Sequence, residues 1–204
     1  MGMSDVIAVT ITADTLAADD DGISASAQVA NNAALVIGGA LASGGSVTLS
    51  NARKLTITSG GNDSGISFTI VGTDINGTAQ TESLTGANAG VATSSKFFLT
   101  IASITAVGDP AGTVEAGISG DSSDIVFAGR SRLKGAYLTS TATAGTVDFL
   151  NTSTAGTSLL KISSVASATA TRDVVIPENG VLFTDGIYLQ YTVSTFLTLT
   201  VFHA

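Results

Sequence analysis

Hydrophobic and polar residues alternate along almost the whole chain, the period at which successive side chains of a strand face opposite sides. Residues 53–58, Arg-Lys-Leu-Thr-Ile-Thr, set Leu55 and Ile57 on one face and Thr56 and Thr58 on the other, which predicts a half-buried strand. A glycine-rich corner at 60–65 leads into a second strand with Ile66, Phe68 and Ile70 on a common side. The pair Asn76-Gly77 tolerates the positive φ of a type I′ turn, so a hairpin tip is placed there, with its return strand at 78–84. Residues 96–107 alternate more loosely, as expected of a long central strand that is covered on both faces or bent by a bulge. Asp109-Pro110-Ala111-Gly112 is a turn signature, and with a short strand at 113–118 it predicts another hairpin.

Seven more short strands are predicted at 133–139, 145–150, 158–162, 172–176, 181–183, 187–191 and 196–202, at the spacing of a sandwich or jelly roll. The Ala-rich stretch 25–42 invites a helix on propensity alone. The pairs Gly38-Gly39 and Gly44-Gly45, and Val and Ile mixed with Ser, oppose it, so 13–45 is read as two short strands within an arm-like segment 1–45. The polar stretch 119–124, Ser-Gly-Asp-Ser-Ser-Asp, has no large apolar residue and marks a domain boundary. The expectation is an all-β chain of two β-sandwich or jelly-roll-like domains, residues 1–120 and 121–204, built from short antiparallel strands.

Composition narrows the function classes. With 44% hydrophobic and 12% charged residues in 204, the chain is too apolar for disorder and low in charge for a soluble domain, so some apolar surface is expected to meet other protein. A net charge of −8 argues against a nucleic-acid partner, because that affinity rests on Lys and Arg neutralising phosphates. Residues 1–120 carry ten acids and three bases and the remainder six and five, so the charge balance changes at the predicted boundary. Having no Cys removes disulfides and thiolate metal sites. Asp5 stands where an export signal wants bases, and Val6 where a myristoylation pattern starting at Gly2 wants Ser or Thr. The densest apolar run, 97–102, is far short of the roughly 18 residues of a membrane helix. Neither membrane nor nucleic acid is expected as a partner.

Few residues carry candidate chemistry. Asp19, Asp20 and Asp21 before Gly22 form the densest carboxylate run, a Ca²⁺ candidate by its oxygen donors. Their contiguity departs from the alternate spacing of an EF-hand loop, so a solvated turn is the favoured reading. Arg130, Arg132 and Lys134 fall at i, i+2 and i+4 and would share one face of a strand, as a solvated face or as an electrostatic contact with an acidic partner. His203 is the only histidine and has no neighbouring acid or nucleophile in sequence, so no catalytic role is assigned to it. A polysaccharide-cleaving carboxylate pair would be expected beside aromatic platforms, and the chain has no Trp and only Tyr137, Tyr188 and Tyr191 as polar aromatics. The glycine pairs lack the lysine and strand-to-helix context of phosphate loops. No cofactor and no catalytic residue is expected.

Residues 65–74, Gly-Ile-Ser-Phe-Thr-Ile-Val-Gly-Thr-Asp, followed by Asn76-Gly77, Gly86-Ala87-Asn88-Ala89-Gly90 and Lys96-Phe97-Phe98, resemble a module of tailed-bacteriophage structural proteins, as does 176–188 from Ile176-Pro177 to Ile187-Tyr188. The resemblance touches most of the chain after about residue 50 and least of it before residue 45. It implies a β-rich virion protein, most like a capsid decoration or cement protein, made in the host bacterial cytoplasm and placed on the outer surface of the phage head. Its implied partners are the major capsid protein and further copies of itself, as a homotrimer. The matching positions are turn and core positions, so no functional residue is carried over. A tail or fibre component binding host surface glycans, with Ca²⁺ at Asp19, Asp20 and Asp21, is the alternative.

Overall fold

A computed structural model describes residues 5–153, 156–165 and 169–204; Gly2 lies outside the described residues. The chain is all-β, and its paired strands run antiparallel. It divides into two compact units, one formed by residues 17–120 and the other by the residues before Ala17 together with 121–204.

The second of these is a sandwich. One sheet has the order β1 (Ile7–Thr12), β15 (Phe196–His203), β9 (Ser131–Ser140), β12 (Thr171–Val175), with β13 (Val181–Phe183) also on β9. The other runs β11 (Ser158–Ser164), β10 (Gly145–Leu150), β14 (Ile187–Thr192) and residues 121–127 of β8 (Thr113–Phe127). Alternation puts one face of each sheet inward. Ile11, Leu133, Leu138, Leu199 and Val201 of the first sheet share a core with Val126, Val147, Phe149, Ile162, Ile187 and Leu189 of the second. All seven predicted C-terminal strands are present, two of them with unchanged bounds.

The unit of residues 17–120 is built on two long strands. β4 (Ser46–Ser59) and β7 (Val91–Val107) pair with two register breaks, and β5 (Ser67–Thr73) pairs with the C-terminal half of β7 and with β6 (Ala79–Thr85). β7 is the expected long central strand, flanked by β4 and β5. β3 (Ala42–Ser43) pairs with β4, and β2 (Asp19–Gln28) with residues 113–118 of β8. The Ala-rich stretch forms no helix.

Five expectations about the fold are corrected. The residues before Ala17 do not belong to a domain of 1–120, because β1 pairs along its whole length with β15, from Ile7↔His203 to Thr12↔Thr198. The stretch 119–124 is no linker but the middle of strand β8; Ser122 and Ser123 are fully buried there, being small enough to sit in a covered strand. No hairpin joins β7 to β8, since β4 lies between them. β4 is covered on both faces from Ala52 onward, so Arg53 and Thr56 are buried with Leu55 and Ile57. The hairpin tip at Asn76-Gly77 is present, but only Gly77 has positive φ (77°) and its N–H donates to the Asp74 carbonyl at 3.0 Å. That geometry is a turn followed by a left-handed glycine, and not type I′. The Asp74 carboxylate closes it by accepting the Asn76 and Thr78 N–H groups.

Candidate functional site

The basic residues separate into two kinds. Arg130 lies in the bend before β9 and is exposed, while Arg132 and Lys134 lie on β9 with Leu133 inward between them. Arg132 donates to the carbonyls of Asn179 and Gly180 (3.4 Å each) and Lys134 to that of Glu178 (3.5 Å). Arg132 and Lys134 therefore brace the turn before β13, whose Glu178 and Gly180 both hold positive φ. The three cations form no single stripe.

Asp19, Asp20 and Asp21 open strand β2 instead of forming a turn. The Asp19 carboxylate folds back over Gly22, where a Cβ would stand 2.6 Å from its Oδ2. Among the described residues no three acidic or histidine side chains come together to hold a metal ion.

The polar groups the fold does bring together are buried. His203 Nδ1 lies 3.0 Å from Ser131 Oγ, a nucleophile–base distance, but both are buried, and Phe127 covers the imidazole with ring centroids 5.0 Å apart. Ser131 Oγ also donates to the Ala204 carbonyl at 3.2 Å. A working triad needs an orienting acid and access for a substrate; this pair is a core contact. Its burial lowers the His203 pKa below the usual imidazole value by desolvating the charged ring.

A second knot fixes the point where the chain leaves the sandwich and returns to it. The Asp14 N–H donates to Tyr191 Oη (3.1 Å), Asp14 Oδ1 accepts the Leu16 N–H (2.9 Å), and Ser122 Oγ donates to Asp14 Oδ2 (3.2 Å). Burial pushes the Tyr191 phenol up, with hydrogen bonds from Asp14 and Ser122 opposing the shift. In the other unit, Arg53 is fully buried and its Nη2 donates to the Ser119 carbonyl at 2.5 Å. Asp63, also fully buried, accepts the Ala111 N–H at 2.7 Å and joins two loops. Each of these groups holds backbone in place.

What faces outward on the sandwich is hydroxyl-rich. The registers of β1, β15, β9 and β12 align Thr12, Thr198, Thr139 and Thr171 in one row and Thr10, Thr200, Tyr137 and Asp173 in the next. The Thr10 and Thr200 hydroxyls are 3.0 Å apart. Asp173 is the one charged group in these two rows. Sequence reasoning saw the alternation that makes this face but not the strand order that assembles it. Comparison of the chain with protein-family models, with curated proteins and with solved structures gives one result. None of the three finds a match.

Proposed function

We propose that the chain is a non-catalytic structural protein of a tailed-phage virion, a decoration or cement protein bound to the major capsid protein on the outside of the head. The observation that carries this reading is a patch on the outer face of the sandwich: two adjacent rows that hold six threonines, Tyr137 and Asp173, backed by a closed apolar core. Such a patch, low in charge and rich in hydroxyls, suits a broad protein–protein contact. The resemblance of residues 65–98 and 176–188 to phage structural proteins points the same way. A cement protein needs two stable β units and a contact above roughly 1,000 Å². By binding the assembled shell and not its free subunits, it would stabilise the particle by mass action, about 2.7 kcal/mol per site at a hundredfold excess over Kd.

Cryo-electron microscopy of virions of the phage encoding the chain, with mass spectrometry to count it, tests the reading. Many copies at symmetric positions on the head are expected. A handful of copies at the tail would overturn it in favour of host recognition, and absence from the particle would overturn both.

A further inference from the structure

Strand β1 is the edge of its sheet, and among the described residues nothing pairs with its free side. Natural edges are usually blunted by charge, proline or a bulge. β1 has none of these: Ile7-Ala8-Val9-Thr10-Ile11-Thr12 is uncharged, lacks Pro and Gly, and keeps an unbroken register with β15. The opposite edge of the same sheet, β12, carries Arg172 and Asp173 side by side.

The inner row of β1 loses its cover toward the strand's start. Ile11 is 8% exposed, Val9 is half-buried and Ile7 is 53% exposed, although Ile7 sits in register with buried His203. The sheet's apolar face thus runs past the point where its own chain covers it.

We propose that β1 is the self-association site of this protein, pairing antiparallel with β1 of a second copy about a twofold axis at Val9. The pattern around Val9 reads the same in both directions. In that register Ile7 meets the partner copy's Ile11, Val9 meets its counterpart, and Ala8 meets Thr10, so the inner rows of the two copies join and Ile7 is covered. Moving the centre to Ala8 would set Ile11 against Asp5. A shift by one residue in only one strand would set inner side chains against outer ones. Head-to-tail pairing of β1 with β12 would bring Arg172, which shares the row of Leu138, Leu199 and Ile11, onto the apolar inner row, where an unpaired charge is disfavoured. An isologous contact also closes on itself and leaves no edge for a filament. This inference stands apart from the virion reading: it predicts a twofold dimer of the free protein, where the phage resemblance implies a trimer.

Analytical ultracentrifugation of the full chain, with circular dichroism to verify folding, tests it. The wild type should sediment at twice the chain mass. Ala8→Lys with Thr10→Lys sets lysine against lysine twice across the axis and should raise the dimer dissociation constant by about tenfold or more, most strongly at low salt. Ala8→Glu with Thr10→Lys sets glutamate against lysine twice and should restore the dimer. A monomeric or trimeric wild type would overturn the proposal. So would a charge-reversed pair that behaves like the double lysine variant while both remain folded.

Discussion

Gly72→Ala isolates how closely two strands of the 17–120 unit approach. Gly72 lies on β5 beside a register break, where Val71 pairs with Ser103 but Gly72 pairs with Ile101. A Cβ there would stand 1.9 Å from the Thr100 carbonyl oxygen and 3.1 Å from Phe98 Cδ1. The oxygen is backbone on a central strand, so it cannot turn aside as a side chain would. To reach ordinary contact, β5 and β7 must part by about 1.5 Å, which overpacks the site at about 1–3 kcal/mol. Losing one buried ladder hydrogen bond adds about 1–3 kcal/mol, and the reduced freedom of the unfolded alanine chain returns about 0.4–1 kcal/mol. The net destabilisation is about 1–5 kcal/mol, centred on about 3, a large part of a typical domain's stability. Urea denaturation followed by far-ultraviolet circular dichroism should show an earlier transition. Tyrosine fluorescence is a useful second probe, because Tyr137, Tyr188 and Tyr191 all lie in the other unit and report only on it. Gly65→Ala is the control: nothing lies within 4 Å of its Cβ position, so its effect should stay within about 0.5 kcal/mol. Equal stability of the two variants would refute the argument.

Four further outcomes follow from the geometry. His203 has a lowered folded pKa, so the unfolded chain takes up its proton first; the stability this group contributes is full above the unfolded value of about 6.5 and is lost as pH falls through the folded one. Urea midpoints by tyrosine fluorescence should fall on acidification below that value, and His203→Gln should flatten the slope. Tyr191→Phe removes the acceptor used by the Asp14 N–H and should cost about 1–2 kcal/mol in that unit, seen as a lower melting temperature; an unchanged melt would count against the knot. Replacing Arg132 and Lys134 by Ser should speed cleavage after Glu178 by a glutamate-specific protease, because both side chains brace that turn, and unchanged cleavage would show that the braces are idle. Calorimetric titration with Ca²⁺ should give no heat assignable to Asp19, Asp20 and Asp21, and a signal abolished by Asp19→Asn would contradict the strand placement of these acids.

Local chemistry was legible in the sequence and partnership was not. Strand β10 follows directly from alternation bounded by turn residues, β13 from a short apolar run between turns, and the Asn76-Gly77 tip from a dipeptide that favours tight turns. The same alternation is silent about neighbours: it makes β7 and β8 strands, yet β4 lies between them, and β1 finds β15 across a separation no local signal spans. Ser122 and Ser123 look like linker because buried serines and exposed ones are the same letters. The shared face of Arg132 and Lys134 followed from spacing, but the turn they brace lies more than forty residues away. The contact between Ser131 and His203, and the one between Asp14 and Tyr191, likewise depend on the topology alone.

The pairing of the first strand with the last also sets an order of events during synthesis. Residues 17–120 hold every strand that unit needs and leave the ribosome as a block, so that unit can fold while the rest is still being made. β1 emerges before it and then waits, for its partner in the sandwich is the final strand of the described chain. Until residues 196–203 have been made, an uncharged, strand-forming segment is therefore open on both sides, and polysomes carrying several nascent copies would hold such segments close together. The delay makes the rate of elongation, as much as the finished fold, a determinant of whether β1 meets β15 of its own chain or another chain's β1.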